Sequence, residues 1–268
     1  MSKVEVLCAT MHQSDFRKIE EMNIQSDVVF ANQAEDTRYD ELTFDSNTAK
    51  MITTNTRGVG TNRNISLIYA TGDYLLFSDD DLKYVDGYPE IIEKAFRTIP
   101  KADGIIFNID TYGANIKRRK NEKIKRVRWY NALNYGTVRI AIKRSAVSRE
   151  NLMFNRNFGG GTPFSCGEDT LYIVDILRSG LKLYTFPSTI AIVDQSESTW
   201  FRGYNEKYYY DKGVLYASIS RPFSTLLCLQ DLIRRPRYKK SGLTFRSAYR
   251  WMKKGVKNSV KMQPFQQC

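Results

Sequence analysis

Short runs rich in apolar residues alternate along the chain with stretches whose apolar positions recur every three or four residues. "VEVLCA" (Val4 to Ala9), "DVVFA" (Asp27 to Ala31) and "KMITT" (Lys50 to Thr54) predict strands. "DFRKIEEM" predicts a short helix after the first strand. "TNRNISLIYATG" predicts a longer one, capped at Thr61, made apolar by Ile65, Leu67 and Ile68, and closed past its end by Gly72. Tyr74 to Ser78 reads as a buried strand, and "YPEIIEKAFRTI" as a helix with Pro89 in its first turn. Farther on, "GIIFNI" and "TVRIAI" are expected strands on either side of a basic loop. "EDTLYIVDILRSG" is an amphipathic helix ending at Gly180, and "LKLYTF" (Leu181 to Phe186) is the last strand. Beyond Trp200 the pattern turns helical and aromatic. Strands that alternate with helices imply an α/β fold with a mixed, mainly parallel, Rossmann-like sheet covered on both faces. In such sheets ligands bind beyond the carboxyl ends of the strands. Residues 1–220 are expected to form the body, and residues 221–268 a basic amphipathic helical segment, divided near Arg221-Pro222.

Charge refines this division. The chain of 268 residues has a net charge of +12, but its placement is uneven. After Asp231 there are eleven basic residues and no acidic one, and "KRRKNEKIKRVR" (Lys117 to Arg128) holds eight basic residues against Glu122. These two segments carry +18, which leaves −6 for everything else. A mildly acidic body with two basic segments attracts nucleic acid, anionic lipid or phosphorylated substrates. No apolar stretch approaches the roughly 18 residues of a membrane span. The start "MSKVEVLCAT" runs directly into a strand and predicts no leader, so a cytoplasmic address is expected. Cys8, Cys166, Cys228 and Cys268 are far apart, which suggests neither a disulfide framework nor a zinc site.

Candidate chemistry gathers at three places. Asp79, Asp80 and Asp81 follow the buried run Leu75-Leu76-Phe77, so a triple negative charge stands at a strand end. Acidic oxygens placed there suit a hard divalent cation, Mg²⁺ or Mn²⁺, that shares its remaining positions with phosphate oxygens. Before them, "TRGVGTNRN" (Thr56 to Asn64) places Gly58 and Gly60 at a helix start flanked by Arg57 and Arg63, a candidate anion cradle. Later, "FGGGTPFSCGEDTLY" sets Glu168 and Asp169 at a helix N-terminus behind a glycine-rich approach. Read singly, each is a solvated loop, a glycine turn or a capping pair. His12, the only histidine, has no companion at metal-ligand spacing, and a packed or hydrogen-bonded role is expected for it.

In their order, "RGVGTNRN", "GDYLLFSDDD" and, about ninety residues later, "GGGTPFSCGEDTLY" resemble the family 2 glycosyltransferases over roughly residues 3 to 200. The resemblance implies the A-type glycosyltransferase fold. It makes the aspartates a DxD motif whose metal bridges the diphosphate of a nucleotide sugar. Ser78 stands where many relatives have Asp, so the metal pair stays open among Asp79, Asp80 and Asp81, with Asp79 and Asp81 favoured. "GEDTLY" then corresponds to the ED motif, with Asp169 as catalytic base of an inverting transfer and Glu168 beside it. "ATMHQ" (Ala9 to Gln13) falls where the family meets base and ribose, which makes Thr10, Met11 and Gln13 donor-binding candidates. "FANQAED" offers Asn32, Gln33 or Asp36 in place of the usual base-contacting Asp. Arg57, Arg63, Asp79 and Asp80 complete the donor site, and Asp194, at the last strand end, is a candidate third metal ligand. Trp200 and Tyr208 to Tyr210 are expected to pack rather than stack on sugar.

The implied reaction moves a sugar, with UDP-sugar as default donor, to a hydroxyl of a glycan acceptor. A basic tail with Leu243, Phe245, Tyr249, Trp251 and Met252 interleaved resembles a membrane-surface element. This fits a lipid-diphosphate-linked acceptor of cell-surface polysaccharide synthesis, such as capsule or exopolysaccharide, and attachment to the inner face of the membrane. Two alternatives stand beside it. A nucleotidyltransferase acting on sugar phosphates would carry a glycine-rich basic loop after the first strand, and "ATMHQSDF" has none. A nucleic-acid-binding protein would explain the charge, but no RRM, KH or helix-turn-helix pattern is present, so no nucleic-acid partner is expected.

Overall fold

The structure, a computed structural model, describes residues 3–112, 120–194 and 203–262. Its strands are β1 (Val4–Met11), β2 (Asp27–Gln33), β3 (Arg38–Phe44), β4 (Asn47–Thr54), β5 (Tyr74–Asp79) and β6 (Leu82–Tyr84), followed by β7 (Gly104–Tyr112), β8 (Lys125–Arg126), β9 (Ile140–Lys143) and β10 (Leu183–Asp194). Its helices are α1 (Lys18–Glu21), α2 (Val59–Tyr69), α3 (Tyr88–Thr98), α4 (Arg144–Arg149), α5 (Glu168–Arg178), α6 (Glu206–Ile219), α7 (Ser224–Arg234) and α8 (Phe245–Asn258). The sheet runs β3-β4-β2-β1-β5-β9-β7-β10-β6, with β8 beside β10. Among the described strands β1, β2, β4, β5, β7 and β10 share one direction; β9 runs between β5 and β7 against them, and β3, β6 and β8 are antiparallel additions.

Alternation along β1 explains why both faces are covered. Val4, Val6 and Cys8 enter one apolar cluster with α3, while Leu7 enters a second with Phe77, Phe154 and Tyr172. The carboxyl ends of β1, β2, β4 and β5 therefore lie at one edge of the sheet, where the candidate residues sit.

Several boundaries differ from the sequence pattern for physical reasons. Strand β3 is missing from that pattern because it is an edge strand with mostly exposed residues and no apolar alternation. "TVRIAI" is a strand only from Ile140; Thr137–Arg139 form a 3₁₀ turn. Helix α2 starts at Val59 behind Gly58, so Thr61 lies in its first turn and is not the cap. Its burial is mixed: Ile65 and Leu67 pack against the second apolar cluster as partly buried residues. Asn62, Arg63, Asn64 and Ser66 are buried, while Ile68 is 69% exposed. The buried amides act as brackets: Asn62 donates to the carbonyls of Thr10 (3.1 Å) and Ala31 (2.7 Å), and Asn64 exchanges two hydrogen bonds with the backbone of Phe154.

The C-terminal helices form a third cluster, in which Tyr208, Tyr209 and Tyr210 are buried as expected. Helices α6 and α8 touch backbone to backbone at two glycines. A Cβ on Gly213 would stand 2.0 Å from the Met252 carbonyl oxygen, and one on Gly255 would stand 2.1 Å from that of Tyr210. The sequence division at residue 221 falls between α6 and α7. The apolar residues expected to reach a membrane from the tail are mostly used inside: Met252 is fully buried, and Leu243, Tyr249 and Trp251 pack against the same cluster. No described helix is long and apolar enough to cross a membrane.

Candidate active site

The site is organised around Arg63. Helix α2 lifts this side chain from its first turns into the space between the ends of β5 and α5, where only 3% of it is exposed. One guanidinium nitrogen donates to Asp79 Oδ1 at 2.8 Å, and the other donates to Asp169 Oδ1 at 2.6 Å with Glu168 Oε1 at 3.6 Å. Phe154 lies under the guanidinium, 5.4 Å from its ring centroid. Phe154 stacks on Tyr172 at 4.0 Å, and both meet Phe77 edge-on, so the ion pairs rest on a dry aromatic floor. Burial pulls against the charge of Arg63, but Asp79, Asp169 and Glu168 outweigh it and hold the group above the usual guanidinium range.

Each carboxylate has a distinct setting. Asp169 Oδ1 accepts from both Arg63 and the Thr137 hydroxyl. Its Oδ2 has no hydrogen bond among the described residues and faces Gly136, where an added Cβ would stand 3.0 Å away. Glu168 is the more enclosed of the two. Burial first, and then the charge of Asp169, push its carboxyl up to about 7, against the pull of Arg63. Asp79 ends β5 with its side chain 43% exposed. Asp80 and Asp81 form the turn into β6; Asp80 accepts from the buried Thr10 hydroxyl, and Asp81 is exposed. The triple charge is thus met by Arg63 at Asp79 and by hydroxyl donation at Asp80.

The glycine-rich approach to α5 has a steric reason. Gly159 has φ of +105°, and a Cβ there would come within 2.5 Å of Val59 and 2.8 Å of the Glu168 carboxyl carbon. Val59 N–H also donates to the Gly160 carbonyl at 3.1 Å, which seams the α2 start to this loop. From the other side, buried Asp211 on α6 accepts from the Ser165 amide (2.9 Å), the Ser165 hydroxyl (2.7 Å) and Lys207 (2.6 Å). Helix α6 therefore holds the loop that carries Glu168 and Asp169.

Other candidates fall elsewhere. Arg57 is half-exposed and pairs with Glu35 at 2.7 Å, away from the bracket around Arg63. Asn32 is fully buried and exchanges hydrogen bonds with the Gln13 backbone and Thr53, so it ties strand ends together and presents nothing to a ligand. Gln33 is buried against the Gly58 carbonyl, and Asp36 pairs with Arg38 near β3. Met11 is exposed beside Gln13, whose side chain donates to its carbonyl. His12 is exposed rather than packed; its backbone N–H donates to Gln33. Asp194 closes β10, and its side chain, like Trp200, lies outside the described residues. Among the described residues no three acidic, histidine or cysteine groups converge as a complete metal cage. The donor chemistry at Asp79 and Asp81 still suits a hard cation, because two carboxylates at a strand-end turn leave the other positions to phosphate and water. Thr137 and Phe154 carry no motif that a sequence reading detects, and only the fold brings them to the bracket.

The model of glycosyl transferase family 2 matches residues 37–180. No curated protein matches the chain in sequence. Among solved structures, S. aureus TarS 1-349 in complex with UDP-GlcNAc is similar at a TM-score of 0.63 and 12% identity, covering 98% of this chain and 82% of that one. The mannosyltransferase PcManGT from Pyrobaculum calidifontis, in complex with GDP-Man and Mn²⁺, is similar at 0.52 and 15% identity, covering 98% and 76%.

Proposed function

We infer the reaction from the premise that the chain belongs to glycosyl transferase family 2, with its A-type glycosyltransferase fold, and is a glycosyltransferase. That premise sets aside the nucleotidyltransferase and the nucleic-acid binder. The reading adopted is an inverting transfer from a nucleotide-diphosphate sugar, UDP-linked by preference, to a hydroxyl of a glycan acceptor. The observation that carries it is the Arg63 bracket, which joins the strand-end aspartate to the helix-start acids across one guanidinium.

In this reading Asp169 is the base. Arg63 and Thr137 fix its Oδ1, which leaves Oδ2 to take the acceptor's proton. The acceptor oxygen bonds to the anomeric carbon as the carbon–oxygen bond to the diphosphate breaks, with inversion. Glu168 stands beside Asp169 at the helix start, and its own carboxyl, pushed up by burial and by the charge of Asp169, keeps its proton up to about 7. Asp79 and Asp81 would hold a divalent cation, Mn²⁺ or Mg²⁺, which when bound offsets charge on the diphosphate. Thr10 buttresses Asp80, and Met11 and Gln13 border the donor side.

The acceptor is read as lipid-diphosphate-linked, in cell-surface polysaccharide synthesis at the inner face of the membrane, because the basic residues make the protein attractive to anionic surfaces. The test is a screen of nucleotide sugars for hydrolysis with Mn²⁺, water standing in for the acceptor. Release of nucleoside diphosphate from a UDP-sugar is expected. Turnover of GDP-linked donors alone would overturn the UDP preference, and no turnover of any donor would overturn the reading.

A further inference from the structure

Helix α7 packs against α6 and α8 with one face and leaves an apolar stripe on the other. Ser224, Cys228 and Leu232 are buried, whereas Phe223, Leu226 and Ile233 are 63, 62 and 70% exposed. Leu226 and Ile233 lie seven residues apart and so point the same way, with Phe223 close by in direction. Soluble surfaces seldom keep so many large apolar side chains on one helix without a use. Trp129, 55% exposed, faces Phe223 and Leu226 across a groove of about 760 Å³, with Tyr130 beside it at 82%.

The charge around this stripe is mostly positive, with Asp231 on α7 the acidic exception. Arg128, Arg221, Arg234 and Arg235 are exposed at its margins and make no ion pair among the described residues. Helix α8 contributes a second row: its apolar face packs on α6, and Arg246, Arg250, Lys253 and Lys257 are all exposed at spacings of four, three and four. Lys253 Nζ reaches Thr225 on α7 at 3.1 Å, so the basic row runs beside the apolar stripe. Apolar and aromatic side chains bordered by cations without an ion pair among the described residues match the headgroup layer of an anionic bilayer.

We propose that the outer surface of α7 and α8, with Trp129 and Tyr130, is the seat on which this protein rests on an anionic lipid bilayer. It rests on the membrane setting of the proposed function and moves the insertion from the tail's own aromatics to α7. Helix α5 links the seat to the chemistry, with Glu168 and Asp169 at one end and Arg178 lining the groove at the other. Eleven residues of helix span about 15 Å. A lipid-anchored acceptor would thus meet the base close to the bilayer surface.

Flotation of the full chain with phosphatidylcholine vesicles, with and without phosphatidylglycerol, tests the seat. Wild type should float with the anionic vesicles, less so at high salt, and not with phosphatidylcholine alone. The double variant Phe223→Glu, Leu226→Glu should float at least about tenfold less, since it loses two inserted groups and gains two repelled charges. Near-UV circular dichroism checks its fold, and Trp129→Ser, which adds no charge, should weaken flotation in the same direction. Equal flotation of both variants and wild type would overturn the seat while leaving a membrane setting to the basic residues alone. A concentration-dependent dimer in sedimentation that Leu226→Glu abolishes would overturn it in favour of a second copy of the chain. No flotation of wild type would overturn seat and membrane setting together; donor hydrolysis would still decide the sugar chemistry separately.

Discussion

Arg63 sits where one guanidinium must satisfy three carboxylates, with its Nε buried and unpartnered among the described residues. Removing it should be costly, because Glu168 and Asp169 would remain mostly enclosed without a counter-charge, although Asp79 opens to water. Arg63→Met is expected to lose about 3–5 kcal/mol of stability in urea unfolding; a loss below about 1 kcal/mol would show that the bracket does not hold the fold. Glu168 gives a pH signature. Its folded carboxyl is raised from an ordinary 4.5 to about 7, so the native state keeps the proton longer than the unfolded chain does. That contribution is full below the ordinary value and is lost as pH rises through about 7. Between those limits the urea midpoint should fall more steeply with pH in wild type than in Glu168→Gln, and identical slopes would contradict the shift. The sequence pattern finds these acids by their place at a strand end and a helix start. It reads Arg63 as a ligand for phosphate, because only the fold shows that the protein's own carboxylates already surround it.

Helices α2 and α6 show what apolar periodicity misses. In α2 Ile65 and Leu67 pack inward as the pattern expects, but the fully buried side chains are polar, and Asn62 and Asn64 reach carbonyls on β1, β2 and the Phe154 segment that no hydrophobic pattern reveals. In α6 the element was legible, but its partner was not. Gly213 and Gly255 look like ordinary helix weaknesses until α8 is laid against α6 and their missing side chains become the contact. Gly213→Ala should push the helices apart and cost about 1–3 kcal/mol, as overpacking typically does. Thermal unfolding followed by circular dichroism measures this, and a stabilised variant, as helix propensity alone predicts, would refute the close contact.

For the molecule as a whole, alternating strands and helices sufficed for the mixed, mainly parallel sheet, and three ordered motifs sufficed for the family. The edge strand β3, the joining of α6 to α8 and the α7 stripe depend on long-range packing that no local pattern encodes. Asp211 connects these scales: from α6 it holds the loop leading to Glu168 and Asp169, so a helix of the third cluster fixes the candidate site. The central claim is that Asp169 takes the proton in sugar transfer. Its most direct test is Asp169→Asn, which keeps an oxygen for Arg63 and Thr137 but removes the base. Calorimetry with UDP and Mn²⁺ should give wild-type affinity, and transfer from the donor should slow by at least about a hundredfold. Transfer near the wild-type rate in that variant would contradict the account.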